Sequence, residues 1–154
     1  MDNGYVGMTP LLLVCSTQAK AGLTFSIAEL LIDHGADINA RATGALGGGA
    51  TPLLIAAENG HVDLVALLIA RGANVNLVDD EGCNPLMRMK LDVPELVDVF
   101  VAAGVDPTAK NNEGRDAVSH HRFWASIPGR YVVSPPPPVL HARVAELIEQ
   151  KINA

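Results

Sequence analysis

Two short apolar segments and a turn recur along this chain at nearly constant spacing, and that recurrence constrains the fold more than any other feature. The clearest copy is TPLLIAAENGHVDLVALLIARGANVN, from Thr51 to Asn76. Thr9-Pro10-Leu11, Thr51-Pro52-Leu53 and Asn84-Pro85-Leu86 open three copies, and Gly35-Ala36-Asp37, Gly72-Ala73-Asn74 and Gly104-Val105-Asp106 close them. Thr51 and Asn84 stand 33 residues apart, and Gly72 and Gly104 stand 32 apart. Within a copy the grammar is local. Thr and Asn before Pro read as an N-cap followed by a residue with no amide to leave unsatisfied. Gly60 ends the first helix of the clearest copy. Val62, Val65, Leu68 and Ile69 then form the apolar stripe of a second helix from about His61 to Ala70.

A period near 33 with a T-P-L opening resembles the ankyrin repeat family over nearly the whole chain. The resemblance implies an all-α solenoid of about four helix-turn-helix repeats with finger-like β-turn loops. It forms one domain over 1–154, with repeats at about 5–41, 48–80, 81–112 and 113–154. The fourth copy is degenerate: Asp116 takes the place of the capping Thr, and its first helix is expected to reach about Trp124. An insertion from Ala125 to Pro138 follows. Its proline run, Pro135 to Pro138, favours polyproline II, and we read it as a connector rather than a ligand for a proline-binding domain. A last helix from Val139 pairs an apolar stripe (Leu140, Val144, Leu147, Ile148) with a polar face (Arg143, Glu146, Glu149, Lys151), as the end of a stack requires.

Elsewhere the copies vary. Thr24 or Ser26 is expected to cap the second helix of the first copy, and Asp92-Val93-Pro94-Glu95 reads as a capping box in the third. The finger from Thr43 to Gly49 is long and glycine-rich, so it is expected to be the most mobile internal segment. The family's usual His after T-P-L is replaced by Leu12, Leu54, Met87 and Ser119, which predicts apolar packing in place of a hydrogen-bond network. At the front, Leu11 to Val14 are consecutive apolar residues, with Leu12 and Leu13 expected to face outward. Two readings follow for that N-terminal face. It drives weak self-association, or residues Met1 to Met8 fold back over it.

Composition narrows the function. Eleven Lys and Arg against 17 Asp and Glu give a net charge of −6, a surface that repels phosphate backbones and argues against nucleic acid. Aromatics are only 4%, so small and aliphatic residues must build the core. LLLVC is far too short to span a membrane, and the first ten residues lack a signal-peptide pattern, so no membrane role and a cytoplasmic location are expected. Cys15 and Cys83 have no metal-ligand spacing and read as free thiols in a reducing compartment.

No catalytic, cofactor or metal site is expected. The Gly44–Gly49 run lacks the Lys-Ser/Thr of a phosphate loop. His120 and His121 point about 100° apart on a helix, and we read them as solvated or capping rather than as ligands. Cys15 falls where the family buries a small residue. The resemblance implies that another protein binds in a groove between finger tips and first helices. Carried over residue by residue, the candidates are Val78, Asp80, Glu81 and Cys83 on one finger and Lys110, Asn112, Glu113 and Arg115 on the next. Glu58, Asn59, Leu91, Phe123 and Trp124 are the candidates on first helices. Cys83 is expected to be exposed, and Asp79 to be structural. Phe123 and Trp124 read either as binding anchors or as residues packed under the proline-rich insertion or the last helix. The expected function is non-catalytic protein binding. An inhibitor or immunity-type protein, with Asp80, Glu81 and Glu58 meeting a basic cleft, is the alternative in the same class, and an enzyme is the alternative in another.

Overall fold

The computed structural model describes residues 7–17, 21–43, 48–89, 93–126 and 137–154. Eight helices cover them: α1 (Pro10–Ser16), α2 (Ala21–Asp33), α3 (Pro52–Glu58), α4 (Val62–Ala70), α5 (Pro85–Arg88), α6 (Pro94–Ala102), α7 (Ala117–Ser126) and α8 (Pro137–Ile152). No strand occurs among the described residues. Consecutive helices pair as α1–α2, α3–α4, α5–α6 and α7–α8. The odd-numbered helices then stack on one another in one layer and the even-numbered helices in a second.

The capped opening explains why each pair begins where it does. Thr9 Oγ1 accepts from Leu12 N at 3.3 Å and Thr51 Oγ1 from Leu54 N at 3.4 Å. Asn84 Oδ1 accepts from Met87 N at 3.1 Å, and Asp116 Oδ1 from Ser119 N at 2.8 Å. A cap of this kind contributes about 1 kcal/mol, which matters for first helices of four to ten residues. The closing glycine is equally regular. Gly72 sits at φ +90°, a conformation costly for side chains with a Cβ, and Ala73 N then reaches back to Leu68 O at 2.9 Å. Ala36 N to Leu31 O and Val105 N to Phe100 O repeat that bond at 3.0 Å.

Between the layers lies one continuous core. Leu11, Leu53 and Leu86 follow the capping prolines of α1, α3 and α5, and all three are buried. Leu64, Leu68, Leu96, Phe100, Val144 and Ile148 meet them from the even-numbered helices. Leu12, Leu54 and Met87, in the place of the family's histidines, are buried too, so apolar packing does replace the hydrogen-bond network there.

Several expectations are corrected. Leu12 does not face outward but is fully buried, and Leu13 is half-buried, because α1 is overlaid by both α2 and α3. Neither Thr24 nor Ser26 stands at the start of its helix: α2 begins at Ala21, and both lie inside it, Thr24 buried. The N-cap of α6 is Val93, which makes no side-chain bond, and Asp92 of the expected capping box lies outside the described residues. Helix α8 starts at Pro137, earlier than Val139, because prolines in a first turn forfeit no helical bond. Pro135 and Pro136, and residues 44–47 of the glycine-rich finger, lie outside the described residues.

Candidate functional site

The fingers are joined edge to edge by backbone hydrogen bonds. Asp80 N donates to Gly48 O at 2.8 Å, and Asn112 N donates to Glu81 O at 3.0 Å. Side chains reinforce the row. Arg41 donates to Val78 O at 2.7 Å and pairs with Asp80 at 3.0 Å, while Asn112 Nδ2 donates to Asp80 O at 2.8 Å. The closeness is steric as well. A Cβ on Gly82, which holds φ +77°, would lie 2.6 Å from Asn112 Oδ1 and 2.9 Å from its amide nitrogen.

Asp79 builds the middle finger from beneath. Its Oδ1 accepts from both Glu81 N and Cys83 N at 2.9 Å, and its Oδ2 pairs with Arg88. Burial disfavours the Arg88 charge, but the Asp79 carboxylate outweighs it and holds the guanidinium above its ordinary value. Arg88 also reaches Glu81 at 3.6 Å. Asn111 repeats the device one finger on, its Oδ1 accepting from Glu113 N at 3.1 Å and Arg115 N at 3.0 Å.

Cys83 is the clearest correction to the candidate residues: it is only 1% exposed, not presented on the finger. The Asp79 bond to its amide folds it inward, where Asn111 Nδ2 lies 3.7 Å from Sγ. Burial raises its thiol pKa, partly offset by that Asn111 contact. Asn59 is also committed to the frame, donating to Ile55 O at 3.0 Å and Cys15 O at 3.3 Å. Leu91 lies outside the described residues.

The remaining candidates converge at the α7 end. Arg115 is paired with Glu113 and lays its guanidinium 3.5 Å over the Phe123 ring. Phe123 and Trp124 meet edge to face at 5.6 Å. Trp124 Nε1 donates to His120 Nε2 at 3.0 Å, and His120 Nδ1 lies 3.4 Å from Asn111 Nδ2. Contrary to the sequence expectation, His120 and His121 are neither solvated nor capping. His121 is fully buried and meets Leu86 O at 2.6 Å, while His120 joins Trp124 to the finger base. Val78, Asp80, Glu81, Lys110, Asn112, Glu113 and Phe123 are exposed, whereas Glu58, Arg115 and Trp124 are half-buried.

Arg41, Arg88, Asn111 and His120 were not singled out from sequence as groups that shape the site. The recurrence of Asp79-Asp80-Glu81-Gly82 as Asn111-Asn112-Glu113-Gly114 is the signal that could have found Asn111. Asp79, Glu81 and Cys83 lie close enough together to suggest a cation site. The chemistry argues otherwise: Asp79 already holds an arginine and two amides, and the Cys83 thiol is pushed toward its protonated form.

The family model for ankyrin repeats, in three copies, matches residues 16–111. The chain belongs to the ankyrin repeat family. Ankyrin repeats in general are protein–protein interaction modules, and the family is typically non-catalytic. Human protein phosphatase 1 regulatory subunit 27 is 36% identical over 78 residues, covering 51% of this chain and 48% of that protein. Human ankyrin repeat domain-containing protein 17 is 38% identical over 79 residues, 51% of this chain and 3% of that protein. The Drosophila melanogaster ankyrin repeat and KH domain-containing protein mask is 37% identical over 80 residues, 52% of this chain and 2% of that protein. The chain thus matches less than half the length of each of these relatives. Among the described residues no helix is long and apolar enough to cross a membrane.

Proposed function

We propose that this ankyrin stack is a non-catalytic module that holds another protein along its finger tips and first helices. The observation that carries the reading is Phe123, 37% exposed and fixed between Arg115 and Trp124. A ring that is immobilised but uncovered loses little freedom when a partner covers it, which suits a binding anchor. Asp80, Glu81, Lys110, Asn112, Glu113 and Arg115 form the polar surround, with Val78 an exposed apolar contact beside Asp80 and Glu58 contributing from α3. Because Asp80 pairs with Arg41 and Glu81 lies by Arg88, this surround offers paired charges rather than a bare acidic patch. A relative whose name makes it a regulatory subunit of a phosphatase supports a role exercised through a partner. Two free thiols suit a reducing compartment, and we place the protein in the cytoplasm on that ground.

Affinity capture from the native lysate, run in parallel with wild type and with Phe123→Ala/Arg115→Ala, tests the reading. Proteins enriched by wild type should fall at least about tenfold with the variant, about 1.4 kcal/mol of binding. Asp80→Lys/Glu81→Lys should weaken the same proteins. Undiminished capture by both variants, with helical content intact, would place the binding surface elsewhere.

A further inference from the structure

Helix α2 carries a bare aliphatic stripe. Leu23 is 59% exposed, Ile27 38% and Leu30 58%. Their i, i+4, i+7 spacing puts them on one face. The repeat itself says what kind of surface this is. Counted back from the closing glycines Gly35, Gly72 and Gly104, Ile27 corresponds to Leu64 and Leu96, and Leu30 to Leu67. Leu64 is 2% exposed, Leu96 0% and Leu67 8%, while Val99, which holds the place of Leu30 in the third copy, is half-buried. For α4 the neighbouring helix on that side is α2, whose Phe25 and Ser26 line a groove with Asp63, Ala66 and Leu67. Ile27 and Leu30 therefore occupy positions that elsewhere in the stack are covered by another helix. Among the described residues the helices packed on α2 are α1 and α4, and they leave this stripe exposed.

We propose that a second copy of this chain covers it, α2 against α2 about a two-fold axis. The spacing is self-complementary: in an antiparallel pair centred near Ile27, Leu23 of each copy meets Leu30 of the other, as an isologous contact requires. Charge permits it. A net charge of −6 opposes association of like molecules, but the stripe carries no charged side chain. Both acids of α2, Glu29 and Asp33, are turned to Arg71 at the end of α4. The contact continues the helix-on-helix row of α2, α4, α6 and α8 with a helix from outside the molecule. One helix face falls below the roughly 1,200 Å² of a stable interface, so the dimer is weak, with a Kd on the order of 100 µM.

Sedimentation of the full chain from about 10 µM to about 1 mM should show a monomer–dimer transition centred near that value. Leu23→Glu/Leu30→Glu should remain monomeric throughout, with unchanged circular dichroism and thermal midpoint, because both side chains are already exposed. Under mild oxidation Ile27→Cys should cross-link two copies, and Ala66→Cys, exposed on α4, should not; the native thiols are buried and do not interfere. A wild type that stays monomeric at the highest concentration, or a double variant that associates as tightly as wild type, overturns the proposal. So does a chain that dimerises only once residues 1–6 are removed, since that result gives the stripe to the molecule's own N-terminal segment.

Discussion

Asp79 and Asn111 stand at equivalent places in successive fingers, and each accepts two backbone amides through one side-chain oxygen. They differ in the second group: Asp79 turns its other oxygen to Arg88, while Asn111 points its amide at Cys83 and His120. One turn geometry therefore works with either side chain, and the charge on Asp79 is matched to Arg88.

Replacing Asp79 separates those two functions. Asp79→Ala strips two amides and a largely buried arginine of their acceptor, and should cost about 3 kcal/mol. Asp79→Asn keeps the oxygen facing the amides, as Asn111 does, and should cost about half as much. Urea denaturation of both variants checks the order. Equal losses would mean that the amide bonds contribute nothing, and no loss in Asp79→Asn that the Arg88 pair contributes nothing.

The T-P opening makes a second prediction. Thr51→Ala should destabilise the protein by about 1 kcal/mol by freeing the Leu54 amide. Asn84→Ala should cost more, because Asn84 Nδ2 also donates to Asp106 O at 3.1 Å and so ties one repeat to the next. Thermal unfolding of the two variants ranks them.

Acid should act through Asp116. Desolvation pushes its carboxyl up, but its bonds with the Ser119 amide and hydroxyl outweigh that and lower it below 3.8. A group with a depressed folded pKa contributes stability that is fully present above its unfolded value and is lost as pH falls through the folded one. Asp116→Asn should therefore flatten the stability profile below about pH 4 while leaving neutral pH little changed. Urea midpoints measured from pH 7 down to about pH 3 supply the comparison.

Both thiols should be slow to react in the folded protein. Burial pushes the Cys15 thiol to about 12 from 9.0, which cuts its thiolate fraction roughly a thousandfold. Cys83 is shifted the same way. Titration with a disulfide reagent should find two thiols in urea and almost none under native conditions. A fast native Cys83 would show that the middle finger opens readily.

The fold was legible because its punctuation is local. A Thr-Pro step and a closing glycine act within one turn of chain, so their recurrence reports helix starts and ends directly. The candidate surface was legible only where exposure follows from sequence position, as at Asp80, Glu81 and Phe123. Cys83 was misread because a finger was taken as wholly exposed, whereas Asp79 draws the Cys83 amide inward. Leu12 was misread because one amphipathic stripe was assumed for a helix that is covered by two neighbours. His121 was misread because its partner, Leu86 O, lies 35 residues away, and His120 because it takes a bond from Trp124 Nε1 one turn along its own helix. The exposed stripe of α2 emerges only when equivalent positions are compared for burial, since Ile27 and Leu30 look as apolar as Leu64 and Leu67.

Gly82 has no room for a side chain because the next finger occupies the space. Its identity thus answers to Asn112, thirty residues away, as much as to its own turn. An alanine there would wedge the two fingers apart and shift Phe123 and Arg115 relative to Asp80 without altering any of the three. Recognition by such a surface can drift through spacers as readily as through contacts, and selection on affinity would then leave its mark on residues that no partner ever touches.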